Sequence, residues 1–192
     1  MVTVIFDDKY DYEKEVIGYG KNELEALKNA KKSLVAKMKE MKQKYLDILV
    51  NASNVISNGL GDPYDFLAEI MELYAKLRNA KGAFTAYFAI ENVIDRMTKI
   101  IRELMKEIPD VAVELLRLTF DIDDVFGTNM DLYKHLIAVV NAYEYVLYRE
   151  KELECEAKAK ETYEKYSCVD ATRKLINELK QKARERAKKL FS

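Results

Sequence analysis

The residues of this sequence whose type and spacing could do chemistry are lysines on one predicted helix. Seven lysines lie between positions 28 and 44 against a single carboxylate, Glu40, a local charge of +6. At 100° per residue, five of them fall on one side of a helix, three within about 40° of one another. The three are Lys28, Lys32 and Lys39, and the two beside them are Lys31 and Lys42. Such ammonium groups could hold a nucleic-acid backbone without reading its sequence; the alternative is an ordinary solvated helix face.

A second basic stretch lies near the C-terminus. Residues 173–189 hold eight cations against Glu178 and Glu185, again a local charge of +6. The members that we assign to nucleic-acid binding are Arg173, Lys180, Arg184 and Lys188. Cations near the end of a helix also complement its dipole. A nucleic-acid contact, a solvated terminal helix and a clamp onto acidic surfaces of neighbouring copies therefore all remain open.

Other residue sets that could do chemistry are incomplete. His135 is the only histidine, and no serine or cysteine stands at helical spacing to serve as its nucleophile. The acidic segment 121–131 resembles a calcium-binding loop, but its glycine, Gly127, is seventh from Asp121 and Leu132 replaces the bidentate glutamate. We therefore predict a protein without catalytic residues, metal or cofactor.

The composition is that of a globular protein, with 49% hydrophobic and 34% charged residues. Lysine and glutamate are abundant while glutamine occurs only as Gln43 and Gln181, which favours a thermophilic, archaeal source. The net charge of −1 predicts neither nucleic-acid nor membrane binding by itself. The sequence shows no apolar run long enough for a membrane span and no signal peptide, so we expect a cytoplasmic protein without a membrane partner.

The two cysteines, Cys155 and Cys168, are 13 residues apart in a stretch rich in Lys and Glu. They could form a disulfide, because thermophilic organisms use intracellular disulfides. Two free thiols are the interpretation that we favour from the sequence.

Hydrophobic periodicity and breaks predict a mainly α-helical protein, a multi-helix bundle with long antiparallel helices and a short N-terminal β-hairpin. We divide it into the β-hairpin (1–20), the helical bundle core (21–150) and a charged C-terminal helical extension (151–192). The predicted helices are 21–57, 63–79, 83–107, 109–120, a long helix from the cap Asn129 to about 165, and a last helix that Asp170 caps after a break at 167–170. The charged halves of two helices are expected to project beyond the core.

These observations predict a non-enzymatic helical subunit that binds a nucleic-acid backbone non-specifically within a larger assembly. Basic ends and an acidic middle, 107–131, also favour a homo-oligomer, for example a coat or filament protein of an archaeal mobile element, which would place it in a virion. The stretch GYGKNELEALKNAKKSL, residues 18–34, resembles the opening of HicB-type antitoxins and the strand-to-helix junction of double-stranded RNA-binding domains. That resemblance implies a further alternative, a small regulator that binds a protein partner.

Overall fold

The protein is a mainly α-helical bundle, as the sequence predicts. A computed structural model describes residues 2–6, 16–60, 64–120 and 131–192. The elements are β1 (Val2–Phe6), β2 (Val16–Gly20), α1 (Glu23–Leu60), α2 (Tyr64–Asn79), α3 (Ala83–Glu107), α4 (Pro109–Phe120), α5 (Asp131–Lys158) and α6 (Thr162–Leu190). The two strands pair antiparallel, with Val4 opposite Gly18.

The first turn of α1 is fixed by hydrogen bonds and by close contact with β2. The backbone N–H of Glu25 donates to the side-chain oxygen of Asn22, and the Glu25 carboxylate accepts from the N–H of Lys21. A Cβ added at Gly18 would lie 2.1 Å from the carbonyl oxygen of Ala26. Glycine is therefore what allows β2 to lie directly on α1, and the predicted start of the helix is confirmed within two residues.

The apolar seam of α1 forms the spine of the core. Leu34, Met38, Met41 and Tyr45 are each at most 2% exposed. Helix α1 packs against α2, α3, α4 and α5. Helix α2 runs antiparallel to it, since Lys42 contacts the end of α2 while the next turns of α1 face its middle. Burial of this seam fixes which side of α1 points outward, and that side carries the lysines.

The C-terminal part differs from the prediction. Helix α5 ends at Lys158 and α6 begins at Thr162, so the break lies at 159–161 and Asp170 stands inside α6 instead of capping it. This turn brings Cys155 and Cys168 together in a disulfide, with Cα atoms 5.7 Å apart, so the expectation of two free thiols is wrong.

Helix α6 folds back along the bundle and does not project from it. It packs against α3 and α5, and its residues Ile176, Ala183 and Ala187 belong to the common core. The expectation of a projecting charged helix is therefore wrong for α6, because small and apolar side chains every three or four residues give it a buried face. The division of the chain at residues 20 and 150 stays a prediction.

Three sequence predictions fall outside the described residues. They are the helix start at Pro63, the cap at Asn129, and the acidic loop that begins at Asp121.

Candidate nucleic-acid interface

Three of the predicted lysines form one exposed face, which we name the α1 stripe: Lys28, Lys32 and Lys39. All three are exposed, and none forms an ion pair with a described residue. The opposite side of the same turns is buried through Leu27, Ala30 and Leu34. At 1.5 Å per residue the stripe is about 17 Å long. These three exposed cations thus lie along one side of α1 and are unpaired within the part of the chain that the structure describes.

Lys31 lies beside the stripe but turns toward α5. Its Nζ is 2.8 Å from Oε1 of Glu150, whose side chain is only 3% exposed. The other carboxylate oxygen of Glu150 has no hydrogen-bond partner among the described residues. The charge of Lys31 is therefore used to neutralise a buried carboxylate, and a phosphate would have to compete with that ion pair.

Lys42 closes the end of α2. Its Nζ donates to the carbonyl oxygens of Arg78 and Ala80 at 2.8 and 2.7 Å. Arg78 lies in the last turn of α2 and Ala80 directly follows this helix. The last carbonyls of a helix have no intrahelical donor, so the ammonium group takes that place. Burial, and then repulsion from Lys81, lower the pKa of Lys42 below its ordinary value. One N–H of the ammonium group is not used by these two carbonyls.

The fold adds two cations that sequence reasoning missed, Arg78 and Lys81. Both are exposed, and both line a pocket together with Lys39 and Lys42. In the sequence they stand at the end of one helix and in the following break, so periodicity gives no sign that they face α1. The sequence feature that could have pointed to this cluster is Lys81, a lysine in the short break between two predicted helices. The stripe therefore continues into a second basic cluster.

Two of the four predicted residues of α6, Lys180 and Arg184, have partners within the protein. Lys180 forms an ion pair with Glu144 at 3.1 Å, and the guanidinium carbon of Arg184 lies 4.7 Å above the ring of Phe88. Arg173 and Lys188 are exposed without an ion pair to a described residue. The two basic helices are each tied to α5 by an ion pair of their own. Lys31 of α1 binds Glu150, and Lys180 of α6 binds Glu144.

The interface has the properties of an anion-binding surface. Its groups are ammonium and guanidinium ions, which bind phosphate by charge and hydrogen bonding. Within the ranges that the structure describes, no three His, Cys, Asp or Glu side chains gather so as to hold a metal ion. His135 is half-buried and lies on α5, whereas the stripe lies on α1.

Comparisons of the chain with protein-family models, with curated proteins and with solved structures found no match. Among the described helices, none combines the length and apolar character that crossing a bilayer requires. The candidate interface therefore rests on the charges and contacts of this chain.

Proposed function

We propose that the protein is a non-enzymatic helical subunit that holds a nucleic-acid backbone non-specifically within a larger assembly. The observation that carries this proposal is the α1 stripe, a row of exposed ammonium groups without carboxylate partners in the described part of the chain. Lysine is a hydrated point charge without a fixed fork of donors, so it positions a backbone and does not read bases.

The charges on α1 are arranged at the scale of several phosphates. Each strand of a duplex carries a phosphate about every 3.4 Å along the axis, so the stripe is longer than the spacing between neighbouring phosphates. Arg78 and Lys81 extend it beyond Lys39 to a total of five exposed cations. Five phosphate contacts on a duplex give a slope of log K against log salt of about −4.5. Affinity should then fall about 500-fold between roughly 50 and 200 mM salt.

The test compares two triple variants of equal charge. The first is Lys28→Gln/Lys32→Gln/Lys39→Gln, which removes the stripe. The control removes three exposed cations from α3, where carboxylates such as Asp95 share the face: Lys99→Gln/Arg102→Gln/Lys106→Gln. Fluorescence anisotropy of a short labelled duplex and of a single strand, measured over a range of salt concentrations, gives the slope for each protein. We expect the stripe variant to lose about 2.7 from the duplex slope, and the control variant to lose less than about 0.5.

Two results would reject the proposal. The first is no binding of the unaltered protein to DNA or RNA, single- or double-stranded, at low salt. The second is an equal change of slope in both triple variants, because the binding would then respond to total charge and not to the stripe.

Self-assembly as a coat or filament subunit is the second candidate. The observation in its favour is the pair Leu175 and Leu179 on α6, which are 39% and 37% exposed and one helical turn apart. Exposed apolar side chains at this spacing fit a contact with another helix. A strict monomer in light scattering at every concentration would exclude it. An archaeal mobile element as the source stays a prediction.

A further inference from the structure

A pocket of about 550 Å³ lies where the middle of α1 meets the turn between α2 and α3. Its floor is aliphatic, formed by Val35, Met38, Leu46, Ala83 and Ala86. The volume is in the range of sites for small molecules, which are commonly mainly apolar with a few polar groups. The pocket is therefore large enough for an organic ligand and not only for an ion.

The rim of the pocket carries charge of one sign. Lys39, Lys42, Arg78 and Lys81 line it, and among the described residues no carboxylate does. Burial, and then repulsion from Lys81, lower the pKa of Lys42, so two of these rim cations repel each other. A bound anion would relieve this repulsion, whereas a cation or a neutral molecule would not.

The start of α3 adds a positive electrostatic field that also favours an anion. Gly82 precedes α3 with φ +92°, offers no side-chain cap, and has nothing within 4 Å of the place where a Cβ would stand. The first N–H groups of a helix lack partners within the helix and carry a partial positive charge. Gly82 and Ala83 line the pocket, so this end of α3 borders the same space as the cationic rim.

We infer that this pocket binds a small organic anion with an aliphatic body and one carboxylate or phosphate head. The floor accounts for the aliphatic body, because the lining side chains include no aromatic ring that would stack on a base. The rim and the start of α3 account for the head. The site does not depend on the proposed nucleic-acid binding, although Lys39, Arg78 and Lys81 belong to both surfaces.

The test uses four probes and isothermal titration calorimetry with the full chain and no nucleic acid. Octanoate and octyl phosphate carry the two possible heads, octanol lacks the charge, and adenosine monophosphate replaces the aliphatic body by a base. We expect one or both charged octyl probes to bind, the preferred one identifying the head, and octanol and the nucleotide to bind at least about tenfold more weakly.

Paired variants locate the site. Arg78→Gln/Lys81→Gln removes two exposed rim cations, and we expect it to weaken the charged octyl probes about tenfold, or about 1.4 kcal/mol. Lys44→Gln/Arg102→Gln removes two exposed cations that do not line the pocket and should leave binding unchanged. A second blocking variant, Ala86→Leu, places extra carbon atoms at the floor and should weaken both octyl probes while the thermal unfolding transition is retained.

The inference is overturned if neither charged octyl probe binds at millimolar concentration, or if octanol or the nucleotide binds as well as they do. It is also overturned if the rim variant binds like the unaltered protein, or if the control variant loses as much affinity as the rim variant. None of these results depends on whether the α1 stripe binds nucleic acid, which the salt dependence tests separately.

Discussion

Replacing Lys31 by Met should destabilise the protein more than any change on the outer face of α1. Lys31 is the only described cation within 3 Å of the buried carboxylate of Glu150; the next, Lys151, is 3.9 Å away. Removing one partner of a buried ion pair costs about 3–5 kcal/mol, because the remaining charge is left without compensation. The Lys31 side chain is 29% exposed, so water reaches the pair. We therefore expect a loss of about 2–3 kcal/mol in the free energy of unfolding.

The measurement is urea unfolding at neutral pH, followed by circular dichroism, for a complete double-mutant cycle. Glu150→Leu and Lys31→Met/Glu150→Leu complete the cycle, and the double variant should lie within about 1 kcal/mol of the unaltered protein, since an apolar pair can replace a buried ion pair. Lys32→Met is the matched control, because Lys32 is the next residue, exposed and without an ion pair to a described residue. It should change stability by no more than about 0.5 kcal/mol.

The same variants separate a structural role of Lys31 from a role in nucleic-acid binding. Lys32→Met should reduce the salt slope of duplex binding by about 0.9, whereas Lys31→Met/Glu150→Leu should leave it unchanged. The reasoning is refuted if Lys31→Met costs less than about 0.5 kcal/mol while lowering the slope by about one contact. Lys31 would then be a surface cation, and its contact with Glu150 would contribute little to stability.

Three further perturbations test the fold. Replacing Cys155 and Cys168 by Ser should lower the free energy of unfolding by about 3 kcal/mol, because the disulfide closes a loop of about 14 residues, and urea unfolding without reductant measures this. Gly18→Ala should loosen the strands from α1, since the added methyl group would meet a backbone oxygen, and amide exchange should rise in β2 but not in α3. Burial and then the charge of Glu103 raise the pKa of Glu69, so the folded protein binds this proton more tightly than the unfolded chain. The contribution of Glu69 to stability is therefore present below the unfolded pKa and lost as the pH rises through the folded pKa. Glu69→Gln should consequently gain stability relative to the unaltered protein when urea unfolding is moved from acidic to neutral pH, and a difference independent of pH would contradict this.

Helix bounds were predictable where breaks and periodicity agree. The sequence places α3 and α4 at 83–107 and 109–120, the bounds that the structure has, because NAKG and Pro109 interrupt otherwise continuous helical patterns. The start of α6 was not predictable, since the polar residues of SCVD look like a break. Cys168 and Thr172 are buried in the packed helix, and this tertiary contact outweighs the local signal.

The exposed face of α1 was predictable for a related reason. A helix must bury its apolar seam, and the seam fixes the direction of every other side chain on it. Lys28, Lys32 and Lys39 therefore had to share the outward side once α1 was a helix. Whether that face binds nucleic acid stays a prediction.

Sequence by itself thus determined the bounds of α3 and α4, the seam of α1 and the shared direction of the α1 stripe, because these follow from the breaks and the helical period of single segments. Tertiary structure alone decided the partners: Lys31 with Glu150, Lys42 with the end of α2, and Cys155 with Cys168. The first of these contacts joins positions 119 residues apart. Which side chains meet across such a distance depends on how the helices pack and in which register, and no periodicity within one helix contains that information.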